Sequence, residues 1–483
     1  MRRSVFVMAA VAVVAMSCGP GDVTPPEVIS VNPLDGSGSV RLDVPFEVEF
    51  SEPLSAASFA SGSVTFEVDG QKLDVAVERG GDDHTMLIRA IQQPRRLPAT
   101  ATVTLTGGIR DRAGNPLKTY SWSFELTDWI PLGAVINRNP DEDVTDLSLV
   151  WMGGPVLAWT EEEAGSGVAH AASWEEESST WQPLGDVLGG SRGYHAQEPH
   201  LVVYHDTLHA VWHGIVRDNH RIYHAWWDGA SWQHTTEPLN HDLQRNAFSL
   251  VAASDKNLWA AWYELGSSNN PYGVFSVYDG SSWTSGSPDW NTSTTTQRPS
   301  SLVAHEGEAW LAYTPENGDA RVLHYGSASW SPLGAAFDAD GNAGTPSLRP
   351  HLAYVPDGRL IALWLEGNQV YAAFWDGANW ERLGGTVNRL DTANAYGLTV
   401  SRRGWFAAVA EWDRMSRLVV RYWDADRSRW ADLGGPTTVL EGASDYVDGV
   451  QIVGDDAGWP VVAWIEKVGG VKQLHAARYN HVQ

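Results

Sequence analysis

One cysteine, Cys18, is all that the 483 residues contain. A disulfide within the chain is therefore excluded, and the fold must rest on buried apolar surface. Basic residues are scarce as well. The 33 Lys and Arg face 59 Asp and Glu, which leaves a formal charge of −26. A duplex nucleic acid demands a basic stripe, and none is visible, so nucleic-acid binding is excluded from the reading. Docking on an anionic bilayer through protein charge is excluded on the same ground. The acidity reads as solubility. Long apolar runs are missing too: the run Val5–Met16 falls short of the roughly 18 residues that a membrane span needs. No segment sustains a 3.6-residue apolar period, which argues against a helical fold.

What is present points to strands. Hydrophobic residues make up 43% of the chain and charged residues 19%, a globular balance. The 47 Gly and 25 Trp suggest many short strands joined by turns. The length calls for two or three domains.

The amino terminus reads as an export signal. Arg2 and Arg3 precede the apolar run, which ends in Ala15-Met16-Ser17-Cys18. This ending resembles a bacterial lipobox, with Ala15 where leucine is usual. The resemblance implies a signal peptide over 1–18 and acylation of Cys18, with burial of acyl methylenes as the anchor. Residues 19–23 then form a short tether. Membrane association is expected through that lipid anchor alone, in a bacterial cell envelope, at the outer membrane or cell surface.

Residues 24–127 show alternating runs. Phe46-Glu47-Val48-Glu49-Phe50 places three apolar side chains on one face, as a half-buried strand does. Val64–Val68, Ala101–Leu105 and Trp122–Phe124 repeat the pattern, and Asp69-Gly70 and Gly80-Gly81 supply turns. About a hundred residues of this kind suit a two-sheet sandwich. Thr24-Pro25-Pro26, Phe50-Ser51-Glu52-Pro53-Leu54, Asp111-Arg112-Ala113-Gly114-Asn115-Pro116 and Trp122-Ser123-Phe124 stand in the order found in a known family. The segment resembles the bacterial Ig-like domain of surface-layer proteins of the SbsA type, which implies a spacer or adhesion module. Asp111, Gly114 and Asn115 read as a β-turn, with a calcium loop as the alternative.

From 129 to 483 the chain repeats itself. A tryptophan followed closely by Leu-Gly occurs from Trp129, Trp181, Trp330, Trp380 and Trp430, with degenerate copies at Trp232 and Trp283. The steps are 52, 51, 51, 47, 50 and 50 residues. Asp-Gly precedes the tryptophan at Asp228, Asp279 and Asp376, which suits a hairpin between two outer strands. A third word sits mid-repeat, as in Ala158-Trp159-Thr160-Glu161 and Ala261-Trp262-Tyr263-Glu264. About fifty residues with four apolar runs is one propeller blade. The last repeat stops before its outermost strand, and Trp129–Gly133 is a spare copy of that strand. The amino-terminal strand is therefore expected to complete the last blade and close a ring of seven. The expected fold class is all-β: an Ig-like β-sandwich followed by a seven-bladed β-propeller.

Of the 25 tryptophans, 24 lie in this region, and those that recur in every blade read as packing between blades. Trp290 and Trp405 fall outside the repeat and are candidates for a surface stacking platform. The mid-repeat word ends in an acid at Glu161, Glu264, Glu316, Glu366, Glu411 and Glu466, with His213 in the second blade. These ends share a face with the long connections between blades. A ring of Glu161, His213, Glu264, Glu366 and Glu466 is the candidate ligand site; the simpler alternative is that each glutamate caps loop amides of its own blade. His205, His209 and His213 share parity, but the spacing matches no zinc signature, and no metal site is assigned. Asp338-Ala339-Asp340-Gly341-Asn342 lacks the downstream glutamate of a calcium loop. No cofactor is assigned, calcium remaining the one weighed.

Blade length and the Trp-Asp-Gly…Trp words resemble the broad sialidase-like and lectin-like propellers. The sialidase Asp-box, Ser-x-Asp-x-Gly-x-x-Trp, is absent, so no catalytic residue is carried over. No nucleophile elbow, phosphate loop or zinc-protease motif is present. The reading is of an exported, monomeric binding or adhesion module, rather than an enzyme, whose propeller recognises a glycan or protein ligand. A glycosidase or lyase acting on polysaccharide, and an envelope scaffold, are the alternatives. Matching pockets between blades favour a lectin, one deep pocket with two carboxylates about 5–9 Å apart a hydrolase, and a flat apolar face a scaffold.

Overall fold

The computed structural model describes residues 22–481 apart from 39, 43, 93, 95–97, 164, 187, 189–194, 244–245, 266–270, 287–289, 291–296, 317, 343, 413–415 and 438–445. The export signal, Cys18 and residues 19–21 of the tether lie outside the described residues, as do parts of the connections 186–198, 240–248 and 441–448. The described chain divides into two units, with the break after Leu126.

The first unit has two four-stranded antiparallel sheets. One runs in the order Val28–Asn32, Phe46–Phe50, Thr85–Ala90, Val75–Arg79, and the other Gln71–Leu73, Val64–Val68, Ala99–Leu105, Tyr120–Leu126. Strict alternation decides which side chains go inside. Phe46, Val48 and Phe50 are buried while Glu47 and Glu49 are exposed. Phe46 meets Phe66 and Phe124 from the other sheet at ring-centroid distances of 5.4 and 5.0 Å. At Asp111 the chain turns: Gly114 N donates to Asp111 O, Asn115 N to Asp111 Oδ1, and Gly114 holds φ +96°. That is the β-turn reading of this word.

The second unit contains, among the described residues, seven four-stranded sheets. Blades 1 to 6 begin at Val144–Trp151, His195–Tyr204, Asn246–Ser254, Gln297–His305, Ser347–Tyr354 and Thr392–Ser401, and each takes its next three strands in sequence. Blade 7 is Tyr446–Gly454, Pro460–Val468 and Val471–Tyr479, closed by Trp129–Pro131 from the start of the region. Tyr479 pairs with Trp129 and Ala477 with Pro131. First strands of successive blades pack on one another, and the first strand of blade 7 packs on that of blade 1, so the ring is complete. This is a seven-bladed β-propeller, and the amino-terminal strand leaves no blade without its fourth member.

The repeated words are the fastenings of this ring. Trp181 Nε1 donates to Leu132 O at 2.8 Å, Trp232 Nε1 to Leu184 O at 2.8 Å, and Trp380 Nε1 to Leu333 O at 3.0 Å. Each bond crosses from one blade to the next. The following glycine lies under the tryptophans of that next blade: a Cβ on Gly334 would meet Trp375 at 2.6 Å and Trp380 at 2.9 Å. Its φ of +72° also suits glycine. In blades 2 and 3, Thr235 and Gly286 occupy the leucine position. The next tryptophans, Trp283 and Trp330, leave Nε1 without an acceptor among the described residues. Trp430 does the same although Leu383 precedes it, and nothing in the structure explains that. The Asp-Gly words form the expected hairpin turns. Asp228 Oδ1 accepts from Ala230 N and Ser231 N, and Asp376 Oδ1 from Ala378 N and Asn379 N. Those backbone bonds hold both carboxyls below the usual range.

Candidate functional site

The strand-end acids come first, because the sequence singles them out. Glu161 accepts from Arg138 N (3.0 Å), Asn139 N (2.6 Å) and Trp159 Nε1 (3.0 Å). Glu264 accepts from His241 N, Asp242 N and Trp262 Nε1. Glu366 takes Ala339 N, Asp340 N and Trp364 Nε1. Glu466 takes Trp464 Nε1 at 2.8 Å. All four are buried, and three of them spend both oxygens on the connection that enters their blade. Burial outweighs these bonds at Glu264 and pushes its carboxyl up. Glu411 bonds Arg389 N and Leu390 N, but Val409 replaces the tryptophan, and the buried Arg421 guanidinium takes its place at 2.6 Å. Glu316 is exposed and falls beyond the last strand residue, Pro315.

His213 is buried but bonds another imidazole, His220, with Nε2 and Nδ1 2.8 Å apart. His209 Nδ1 and His224 Nε2 form a second pair at 2.9 Å. His205 stacks on Tyr204 instead. Desolvation pushes His209 and His213 down to about 4 and His224 to about 3, so these rings are neutral near pH 7. Trp290 is not a surface platform: it is 5% exposed, and its Nε1 reaches Trp262 O and Val274 O. Trp405 is half-buried under the Arg359 guanidinium.

The open chemistry lies elsewhere, at the axis. Every one of the seven first strands loses register near its start, at 144/146, 197/200, 248/251, 299/301, 348/351, 393/395 and 447/450. These are β-bulges, which re-aim side chains and interrupt pairing. Because first strands surround the axis, the bulges collect around it. They line a cavity of about 260 Å³ with residues from blades 1, 2, 5, 6 and 7. Its polar groups include Asp146, Glu198, Arg349, Asn394 and Asp448.

Two bulges are near copies with opposite charge. Glu198-Pro199-His200-Leu201 in blade 2 matches Arg349-Pro350-His351-Leu352 in blade 5. Both leading residues sit at φ +50°, a left-handed conformation that costs a non-glycine residue about 1–2 kcal/mol. Desolvation, then the charge of Asp146, raises the Glu198 carboxyl, and Arg298 pulls it back. Asp146 Oδ2 lies 3.4 Å from Glu198 N, and Glu198 Oε2 lies 3.4 Å from Leu250 N. Asp448 is held by Lys472 Nζ at 2.6 Å. Burial keeps His200 and His351 neutral, both pushed down to about 4. Asn394 donates to Val447 O, but its buried Oδ1 has no partner among the described residues. Sequence reasoning passed over this set because its members recur with different residue types; the doubled Pro-His-Leu word was the one available signal.

Two acidic groups bring ligand atoms within 4.8 Å: Asp22, Glu52 and Asp111 in the first unit, and Asp338, Asp340 and Glu366 in the propeller. In the second, the Glu366 oxygens already accept loop amides and the Trp364 indole.

Residues 22–126 are a bacterial Ig-like domain, matching that family's model over this stretch. No curated protein matches the chain. Solved structures similar to it include the Trypanosoma rangeli sialidase in complex with the inhibitor DANA. That likeness has 12% identity and a TM-score of 0.41, and covers 63% of this chain and 57% of the sialidase. An Aleuria aurantia lectin in complex with alpha-methyl-L-fucoside shares 11% identity with a TM-score of 0.38, over 71% of this chain and 97% of the lectin. The intramolecular trans-sialidase from Ruminococcus gnavus shares 11% with a TM-score of 0.38, over 73% and 100%. The chain thus spans little more than half the length of the first of these. Beyond the Ig-like domain, the propeller is defined by its own strand order.

Proposed function

We propose that this chain is an exported envelope protein, anchored through Cys18, whose propeller binds a glycan in the axial cavity while the Ig-like domain acts as spacer. The observation that carries the reading is the cavity and its polar lining. Carboxylates, an amide and a guanidinium converge on one concave site, as hydroxyl-rich ligands require. Its volume suits a monosaccharide unit better than a protein surface. The strand-end acids, spent on their own blades, offer less. The test is a glycan array probed with the full chain and with a variant, Thr145→Trp, that adds bulk to the cavity lining. Binding to defined glycans, lost in the variant, is the expected result. Binding that survives the variant places the site elsewhere, and an array without signal removes the reading.

A hydrolase is the second reading, favoured by one observation. Asp146 and Glu198 share the cavity, and burial with mutual repulsion pushes Glu198 upward, the division that acid and base roles need. Release of chromophore from a panel of aryl glycosides, abolished by Glu198→Gln, distinguishes this reading from binding alone.

A further inference from the structure

We infer that the axial cavity is a dipolar site, built for a sugar residue that carries both a cationic amine and an anionic carboxylate. This rests on the glycan-binding reading and goes on to name the class of ligand.

The argument starts from the paired bulges. Glu198 and Arg349 occupy the same position of the same word in blades 2 and 5, with the same left-handed backbone and a proline after each. Three blades apart in a ring of seven, they stand on opposite sides of the axis. One fold element, used twice, therefore presents a carboxylate from one side and a guanidinium from the other. Neighbours deepen the polarity. Asp146 joins Glu198 on the blade 1–2 side, where the charge of Arg298 from blade 4 also acts on Glu198, so two carboxylates there face one cation. Asp448, from blade 7, is neutralised by Lys472. His200 and His351, the remaining titratable groups of the two words, are uncharged near pH 7.

The Arg349 guanidinium has no hydrogen-bond or ion-pair partner among the described residues; the bonds at this residue involve its backbone, with N donating to Thr314 Oγ1 and O accepting from Tyr396. In a chain with 59 acids against 33 bases, an exposed guanidinium left unpaired beside a polar cavity is a group kept for a ligand. Guanidinium favours a carboxylate, which it can hold with two parallel bonds. The acidic side favours an ammonium. A neutral sugar leaves both charges uncompensated, and a singly charged one leaves one of them so. The cavity holds little more than one sugar ring, so both charges must sit on the same residue.

The experiment is titration calorimetry on the full chain with three probes: muramic acid, with amine and carboxylate; glucosamine, with the amine alone; and glucuronic acid, with the carboxylate alone. Muramic acid is expected to bind at least tenfold tighter than either. Glu198→Gln is expected to weaken muramic acid and glucosamine about tenfold and to leave glucuronic acid unchanged, and Arg349→Gln to weaken muramic acid and glucuronic acid about tenfold and to leave glucosamine unchanged. Unchanged thermal midpoints show that both variants fold. Equal affinity for all three probes, or variants that weaken both single-charge probes alike, overturns the dipolar site. Array glycans that bind in the cavity without such a preference leave the glycan-binding reading standing and sink this inference alone. If neither probes nor array glycans bind, the glycan-binding reading itself is lost.

Discussion

The rim of the propeller and its axis use repetition in opposite ways. Away from the axis the same side chains return in several blades: indole bonded to the leucine carbonyl of the preceding blade at the rim, and glutamate to the amides of its own entering connection at the second strands. At the axis it is the backbone that repeats. All seven first strands bulge, yet the residues turned inward are Asp146, Glu198, Arg349, Asn394 and Asp448. Side chains that recur build the ring, and side chains that vary on a recurring backbone give the site its character. Blade 2 departs from the first habit at its cap, where the His213–His220 pair stands in place of tryptophan and glutamate.

The comparison breaks most severely at the fully buried tryptophans of the second strands. Trp262→Ala removes a side chain with 0% exposure and the indole donor of Glu264. Equilibrium denaturation should show a loss of about 3–5 kcal/mol, whereas an axial substitution such as Arg349→Gln should cost under about 1 kcal/mol.

Blade 2 gives the next effect. Its histidines His209, His213 and His224 titrate below their ordinary value near 6.5. Their contribution to stability is therefore complete above pH 6.5. It is lost as pH falls through about 4, because the unfolded chain binds protons that the folded blade refuses. The unfolding free energy from urea titrations should fall between pH 7 and pH 4, by on the order of 2 kcal/mol per histidine. The double variant His209→Phe, His224→Phe should flatten that slope, and a slope left unchanged would rule the pair out as its source.

Glu161→Gln keeps the shape of the cap and removes its charge. A loss of about 1–3 kcal/mol is expected from two backbone donors and an indole left with a weaker acceptor. Smaller still is the difference between two rim tryptophans. Trp380→Phe breaks the bond to Leu333 O, while Trp330 Nε1 has no acceptor among the described residues. Trp380→Phe should cost about 1 kcal/mol more than Trp330→Phe. At the axis the sign reverses. Glu198→Gly relieves the φ of +50° and should raise stability by up to about 1 kcal/mol, while removing the carboxylate from the cavity. A measured destabilisation would show that the bulge is not held under strain there.

Much of the fold was legible. Phe46, Val48 and Phe50 announce a half-buried strand because period two and burial on one face are the same fact. The spare Trp129 word announces ring closure, because a blade short of its outer strand leaves an open edge. The site was far less legible. The repeated acids drew the eye, but recurrence in several blades marks groups that those blades need for themselves. Trp290 looked free because it stands outside the repeat, and the folded chain turns it inward to two carbonyls.

By itself the sequence determined the strands, their grouping into blades, the count of seven and the seam. All of these depend on local periods and on words that recur every fifty residues or so. Only the tertiary structure decided that Asp146, Glu198, Arg349, Asn394 and Asp448 share one cavity. They are spread over some three hundred residues of chain and share neither type nor charge. What unites them is a bulge in each first strand, and those bulges meet because the ring closes around its axis.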